Sequence, residues 1–195
     1  HNLLQSALGV EFSLGATLPA TSLKAFNAIN GLSPKHYIPL EPINPDSSEL
    51  LSVSRKIRDS YFGGRVEIFE TSCESAFYHD YNSAYPYAMT HALPDFTSGV
   101  IKSKSIPMSV DTFFVDCTFT VPEMPIPFIP FRHNHKVMFP YGTGRSPIAG
   151  PEFRLLEQFG KVEKIHQVYA FGETTLFASF MALLYNRRNQ AKAEN

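Results

Sequence analysis

The chain of 195 residues has 44% hydrophobic and 13% aromatic side chains and a formal net charge of −1. This composition is typical of a folded protein with a sizeable core, and it excludes a disordered chain. The net charge argues against nucleic-acid binding through an overall basic field, and no apolar run reaches the ~18 residues of a membrane helix, so no membrane partner is expected.

Helical patterns dominate the first part of the chain. Apolar side chains recur at helical spacing in residues 1–14, and a second helix is expected to begin at Thr21 and to end at Gly31. A third amphipathic helix is predicted over residues 47–60. Residues 33–46 hold four prolines and predict a loop between the last two helices.

From about residue 61 the pattern changes from helix to sheet. Apolar and polar side chains alternate over residues 111–121, which is typical of a half-buried strand. Prolines in residues 124–130 remove backbone donors, so that segment is expected at a sheet edge. A final helix is predicted over residues 174–195. The chain is therefore predicted to be α+β with an antiparallel sheet at its centre, whose further strands are expected at residues 65–69, 76–79, 100–102 and 161–171.

The two cysteines, Cys73 and Cys117, provide neither a disulfide framework nor the spacing of a zinc site. They fit a reducing, cytoplasmic compartment. We expect both to be buried, because a free cysteine usually packs as a small hydrophobic side chain.

One carboxylate, Asp80, follows the apolar run of residues 76–78 and is separated from it only by His79, which is expected to pack. The run predicts a buried strand, and the polar residues after it predict a turn and a short helix that begins near Ser83. A carboxylate at the end of a strand can hold a divalent ion through its oxygens. The alternative is an Asp that caps the helix or stabilises the turn.

The motif Asp-x-x-Ser-x-Tyr-Pro at residues 80–86 resembles the first palm motif of family B DNA polymerases. Its form is most similar to the protein-primed branch found in small phages, adenovirus-like elements and linear plasmids. Tyr-x-Gly-Gly at residues 61–64 resembles the linker between the exonuclease and polymerase modules of that branch, and residues 139–153 resemble the block before the fingers. The three motifs stand in the family's order, and the resemblance extends from Thr21 to the C-terminus.

The resemblance implies an antiparallel palm-type sheet with flanking helices, preceded by a helical N-terminal segment. Residues 1–60 are expected to form the helical tail of the exonuclease module and the linker. Residues 61–172 are expected to form the first half of the palm, with an inserted β-rich segment at about 100–150, and residues 173–195 the start of the fingers helix. The family's second palm motif and its proofreading carboxylates are not in the sequence, so the chain is expected to be a fragment that is inactive alone.

The resemblance also implies roles for the residues of the palm motif. Asp80, with the main-chain carbonyl of Tyr81, is expected to bind Mg²⁺ as one of two catalytic aspartates in a two-metal mechanism. Ser83 is expected beside the primer terminus and the incoming dNTP. Tyr85 is expected to exclude a ribose 2′-hydroxyl by the volume of its ring, with plain core packing as the alternative.

Two further sites are implied outside the motif. Tyr61, Gly63 and Gly64 are expected to bind template DNA, and the two glycines are expected to permit a sharp bend or a close backbone approach. A structural turn is the alternative there. Arg187 or Arg188 is expected to bind the triphosphate, although the sequence does not decide between them and a solvated basic face is equally compatible.

The implied partners are a DNA template-primer, a dNTP and a terminal priming protein. An exposed sheet edge is also expected, which would allow a homo-oligomer to form. The alternative function is a non-catalytic, palm-like domain that binds nucleic acid or another protein. A cytoplasmic location with a viral, phage or mobile-element origin is expected.

Overall fold

The computed structural model describes residues 5–6, 8–31, 48–134 and 136–193 of the chain. The chain divides into two compact units. The first unit comprises His1–Pro39, Tyr81–Leu93 and Glu173–Asn195, and the second comprises Leu40–Asp80 and Pro94–Gly172. Within the described ranges no helix is both long and apolar enough to cross a membrane.

Helices and antiparallel strands are mixed along the chain, which confirms the predicted α+β class. The helices are α1 (Leu18–Asn30), α2 (Ser48–Asp59), α3 (Ala84–Ala88), α4 (Gly150–Phe159) and α5 (Ala178–Ala193). The strands are β1 (Leu93–Asp95), β2 (Ile101–Ser103), β3 (Phe113–Val121), β4 (Phe131–His133), β5 (Lys136–Met138), β6 (Gly142–Ala149), β7 (Lys161–Ala170) and β8 (Gly172–Thr174). The final helix predicted over residues 174–195 is confirmed by α5.

The first helix of the first unit has clear signals at both ends. Thr17 caps its start by accepting a hydrogen bond from the backbone N–H of Ala20, and Gly31 ends it in the left-handed conformation with a φ of 62°. The predicted end is therefore confirmed. The predicted start at Thr21 is wrong, because Thr17 and the proline in the first turn begin the helix earlier.

The core of the first unit is centred on Phe26 of α1. Its ring stacks on Phe177 at a centroid distance of 4.9 Å and meets Phe180 edge-on at 5.2 Å. Aromatic pairs in these orientations stabilise a core beyond the area that they bury. The contacts hold α5 against α1.

The second unit contains a four-stranded antiparallel sheet in the order β2-β7-β3-β6. The alternation predicted for residues 111–121 is confirmed by β3, whose apolar side chains at every second position lie in the main core. Phe153 and Leu156 of α4 cover that side of the sheet. The strands predicted at residues 100–102 and 161–171 are confirmed by β2 and β7.

The opposite side of the same sheet is covered by a helix over only part of its area. Val53 and Ile57 of α2 are buried against Tyr169 and Phe171, which confirms the amphipathic character predicted for this helix. The remainder of this side is polar.

Two strands predicted ahead of the sheet are not strands in the structure. Residues 65–69 and 76–79 have no strand partner among the described residues, and the side chains of Val66 and Tyr78 are 96% and 93% exposed. An apolar run becomes a strand only where a neighbouring strand supplies hydrogen bonds to its backbone. The sequence pattern alone could not report that this neighbour is missing.

Three smaller expectations are also corrected. Of the helix predicted over residues 1–14, residues 10–14 are not helical, and Gly9 before them has a φ of +70°. Residues 124–130, expected at a sheet edge, form no strand, because their prolines have no backbone N–H to donate to a neighbouring strand. Cys73 is exposed because it lies in the exposed segment before Asp80, whereas Cys117 is buried as expected.

The predicted loop over residues 33–46 lies outside the described residues. The division of the chain at residues 60 and 172 into exonuclease tail, palm and fingers stays a prediction.

Candidate functional site

The palm-like motif contributes an exposed carboxylate. Asp80 is the last residue of the segment Leu40–Asp80 of the second unit, and Tyr81 is the first residue of the segment Tyr81–Leu93 of the first unit. Asp80 is exposed, and within the described part of the chain its carboxylate has no hydrogen bond or ion pair. The predicted strand before it is absent, so its position depends on the irregular backbone of residues 70–80. His79, expected to pack, is exposed beside Phe77 at a ring-centroid distance of 6.4 Å.

Ser83 lies at the start of α3 in a left-handed conformation, with φ 57° and ψ 42°. This conformation is uncommon for a residue with a Cβ atom and costs about 1–3 kcal/mol. The hydroxyl of Ser83 does not cap its own helix. Its Oγ instead accepts a hydrogen bond of 2.9 Å from Nη1 of Arg188.

The two adjacent arginines of α5 differ in what they contact. Arg188 reaches Ser83, whereas Nη1 of Arg187 lies 3.4 Å from Oε1 of Gln190 on the same helix. The sequence left both arginines as candidates for the triphosphate. The structure brings Arg188, and not Arg187, to the motif.

A cleft of about 250 Å³ opens beside this contact within the first unit. Its walls come from the segment around α3 and from α5: Asn82, Ser83, Pro86, Tyr87, Thr90, Met181, Ala182 and Tyr185. Tyr85 does not line the cleft and is 82% exposed. Core packing is therefore the wrong explanation for Tyr85 in this structure. Tyr87 is 68% exposed and meets His91 edge-on.

The Tyr-x-Gly-Gly segment is attached to the β4–β5 hairpin region by two arginines. Nη2 of Arg132 donates a hydrogen bond of 3.1 Å to the carbonyl of Tyr61, and its guanidinium lies 5.1 Å from the Phe62 ring centroid. Arg65 lies 4.2 Å from the ring centroid of Phe139. Each arginine thus crosses from one segment to the other.

Arg65 lies at the start of residues 65–69, which were predicted to form a strand. In the structure its side chain is 22% exposed, forms an ion pair with Glu67 and donates to the carbonyl of Pro127. Arg65 is therefore a structural contact of the segment, and only the contact partners distant in sequence reveal it.

The two glycines of this segment are not explained by backbone geometry. Neither Gly63 nor Gly64 has a positive φ, and a Cβ atom added to either would meet no atom within 4 Å. The expected sharp bend or close backbone approach is therefore wrong for this structure. Open space at these positions leaves the segment's surface accessible to a ligand.

A buried carboxylate that the sequence analysis missed lies in the middle of β3. Asp116 is 4% exposed, and both of its oxygens are hydrogen-bonded. Arg145 of β6 donates to it through Nε at 3.0 Å and Nη2 at 3.1 Å, and Nζ of Lys56 of α2 approaches to 3.0 Å. An Asp inside an otherwise apolar alternating strand is the sequence signal that could have indicated such partners.

The two cations determine the ionisation of Asp116. Burial by itself raises the pKa of the Asp116 carboxyl, but the hydrogen bonds from Arg145 and Lys56, together with their charges, outweigh burial and lower the pKa below its usual value. The carboxylate is therefore ionised at neutral pH, and the network holds α2 on the sheet.

The described residues do not provide a complete set of ligands for a metal ion. Residues 5–6, 8–31, 48–134 and 136–193 contain no group of three or more His, Cys, Asp or Glu side chains that could hold an ion. Asp80 is an accessible carboxylate of the right chemistry for Mg²⁺, which prefers oxygen ligands. It can supply one ligand, and a complete site needs further carboxylates.

Comparisons with known proteins agree with the motifs. The chain matches the model of the family described as DNA polymerase type B, organellar and viral, over residues 2–195. A probable DNA polymerase from Podospora anserina is 26% identical over 136 residues, which cover 69% of this chain and 11% of the relative. A probable DNA polymerase from Neurospora intermedia is 24% identical over 193 residues, which cover 92% of this chain and 19% of the relative.

A third relative, a probable DNA polymerase from Ascobolus immersus, is 26% identical over 135 residues, covering 66% of this chain and 11% of the relative. The chain therefore spans only 11–19% of the length of the three relatives. No solved structure matches the chain at a significant level.

Proposed function

Since the chain belongs to the organellar and viral type B DNA polymerases, we propose that it carries part of the site that adds deoxynucleotides to a primer on a DNA template. The activity is that of the complete polymerase. The isolated chain is expected to be inactive, because one exposed carboxylate is too few for the metal site of such an enzyme.

The observation that carries this proposal is the contact between Arg188 and Ser83. It sets a guanidinium, the side chain best suited to bind phosphate oxygens, against the serine of the palm-like motif. Nη1 of Arg188 donates a hydrogen bond to the serine hydroxyl, and this bond uses only one of the five N–H donors of the guanidinium. No other partner of Arg188 occurs among the residues that the structure describes, so the remaining donors are available for a triphosphate, and we assign that role to Arg188 rather than Arg187.

Asp80 and the main-chain carbonyl of Tyr81 are the proposed ligands of Mg²⁺. Bound Mg²⁺ in this family would activate the primer 3′-hydroxyl and stabilise the leaving pyrophosphate. The exposure of Asp80 supports the assignment, since a carboxylate without a protein partner is free to coordinate an ion. The second catalytic aspartate would come from elsewhere in the polymerase.

Tyr85 is the proposed residue that excludes ribonucleotides. Its ring is 82% exposed, so one face is free to contact the sugar of a nucleotide. A rigid aromatic ring loses little conformational entropy when it does so. Tyr61, Gly63 and Gly64 are the proposed template contacts, supported by the open space around both glycines.

The remaining partners follow from the protein-primed branch that the motifs resemble. We propose a terminal protein as the source of the priming hydroxyl. A homo-oligomer would form through β6, an outer strand of the four-stranded sheet. A cytoplasmic location stays a prediction of the cysteine content.

Primer extension by the complete polymerase that contains this segment tests the proposal. Asp80→Asn is expected to lower incorporation by about three orders of magnitude, because metal-bound charge stabilisation contributes several kcal/mol. Glu74→Gln, also in the exposed segment, is the matched control and is expected to retain activity. Equal incorporation by both variants would disprove the role of Asp80. The free energy of unfolding of this chain should change by less than about 0.5 kcal/mol in either variant.

A further inference from the structure

The side of the sheet that faces α2 is divided into an apolar half and a polar half. Phe114 and Tyr169, which are directly opposite each other on β3 and β7, lie under α2. Further along β3, Thr118 and Thr120 point to the same side, because side chains alternate along a strand. Both threonines are only half-buried, so α2 does not cover this half.

Four cations surround the open half. In the strand register Thr118 lies opposite Arg145 on β6 and opposite Lys164 on β7, and Thr120 lies opposite Lys161. Lys56 reaches the same side from α2. Neighbouring strands are about 4.8 Å apart, so these side chains emerge within one small area.

The positive charge of this area is not neutralised. Within the described residues, two carboxylates pair with these cations: Asp116, which is buried, and Glu163, which pairs with Lys161 at 2.8 Å and accepts a hydrogen bond from Thr120. Four cations against two carboxylates leave a net charge of about +2 at neutral pH. The whole chain has a formal net charge of −1, so positive charge is concentrated here.

Asp116 also fixes two of the cations in place. Its carboxylate holds Arg145 through two hydrogen bonds and Lys56 through one, yet the side chains of Arg145 and Lys56 are still 56% and 38% exposed. Because the carboxylate is buried and the cations are not, the network presents positive charge to solvent at low conformational cost.

We propose that this open half, defined by Lys56, Arg145, Lys161 and Lys164 and called the basic sheet face below, binds the phosphodiester backbone of DNA. Lysine and arginine side chains are donors that proteins use to contact phosphate oxygens without reading bases. The hydroxyls of the face are already hydrogen-bonded, Thr118 to Nε2 of His166 and Thr120 to Thr143 and Glu163, so the four cations are the proposed phosphate contacts. The identity of the polyanion rests on the proposed function. The location and charge of the face do not.

The test measures binding of this chain to labelled single-stranded and duplex oligonucleotides of mixed sequence, between about 50 and 200 mM salt. Lys164→Gln removes an exposed cation of the face, and Lys104→Gln, at an exposed position in the loop after β2, is the matched control. We expect Lys164→Gln to weaken binding about tenfold at the lowest salt and to reduce the slope of log K against log salt by about 1. The double variant Lys161→Gln/Lys164→Gln should reduce this slope by about 2.

Three outcomes would overturn the proposal. They are no measurable DNA binding by the unmodified chain, equal effects of Lys164→Gln and Lys104→Gln, and competition by polyglutamate as effective as that by DNA, which would make the face a site for acidic peptides. A larger effect on duplex than on single-stranded DNA, or the reverse, identifies the form that is bound. Because no nucleotide is present, these results are independent of the Asp80 experiment, and either proposal can fail alone.

Discussion

Arg188 on the last helix and Ser83 at the start of α3 are joined by a hydrogen bond of 2.9 Å, although 105 residues separate them in sequence. The bond connects the motif that identifies the polymerase family to a helix that no motif marks. It also distinguishes Arg188 from its neighbour Arg187, which the sequence alone could not do.

The first prediction concerns these two arginines in the complete polymerase. Arg188→Ala should raise the KM for dNTP about 10–100-fold, since a hydrogen bond to a charged group contributes about 1.5–3 kcal/mol. Arg187→Ala is the matched control, because Arg187 contacts Gln190 on its own helix, and its KM should change less than about threefold. Steady-state incorporation at varied dNTP concentration measures both. A larger effect from Arg187→Ala would reverse the assignment.

The second prediction concerns discrimination between sugars. Tyr85→Val should raise the ratio of ribonucleotide to deoxynucleotide incorporation by about 10–200-fold, the range expected when a pocket loses contacts that separate two similar substrates. Tyr141→Val, at a tyrosine of the second unit that is 62% exposed, should leave the ratio unchanged. Single-nucleotide incorporation with matched dNTP and rNTP gives the ratio. If the two variants behave alike, Tyr85 does not contact the sugar.

Regular patterns that bury one face were predictable from the sequence. The five apolar side chains at alternate positions of β3, from Phe113 to Val121, are all buried. Gly31 ended α1 as expected, because a left-handed residue after a helix strongly favours glycine. In these cases the local sequence contains the whole cause of the local structure.

Contacts between distant residues were not predictable. Asp116 finds Lys56 and Arg145 at separations of 60 and 29 residues, and no local pattern encodes such pairs. Residues 76–79 failed for the converse reason, since their apolar sequence requires a neighbouring strand that the described residues do not provide. Asp80 was recognised as a candidate from its motif, whereas its exposure became evident only in the structure.

The third prediction concerns acid stability. The pKa of the Asp116 carboxyl is lower in the folded chain than in the unfolded chain, so the ionised group stabilises the fold above the unfolded pKa of about 3.9. That stabilisation should be lost as the pH falls from about 4 through the folded pKa. Asp116→Asn should remove this pH dependence and lower the free energy of unfolding at neutral pH by about 1–3 kcal/mol. This loss is smaller than is usual when a buried ion pair is broken, because both cations remain accessible to water.

Urea denaturation at several pH values from neutral to acidic measures the effect. The comparison with Asp116→Asn is essential because burial raises the pKa of the Glu152 carboxyl, which changes stability with pH in the opposite direction. Asp111→Asn is a suitable control, since Asp111 forms an ion pair with Arg154 but its side chain is 55% exposed. The same acid dependence in the wild-type and Asp116→Asn chains would exclude Asp116 as its source.

The fourth prediction separates two glycines that both lie in family-like motifs. A Cβ atom on Gly150 would lie 2.2 Å from the backbone oxygen of Asp111, a contact that neither backbone can avoid without moving. Gly150→Ala should therefore destabilise the chain by about 1–3 kcal/mol or more, as overpacking does. Gly64→Ala, with no atom within 4 Å of the added methyl group, should change the free energy of unfolding by less than about 0.5 kcal/mol.

Urea midpoints of the two variants measure the difference, and a destabilised Gly64→Ala chain would show that Gly64 has a structural role after all. If Gly64→Ala instead folds normally and binds template less tightly, the glycine is explained by access of a ligand to the backbone rather than by the fold.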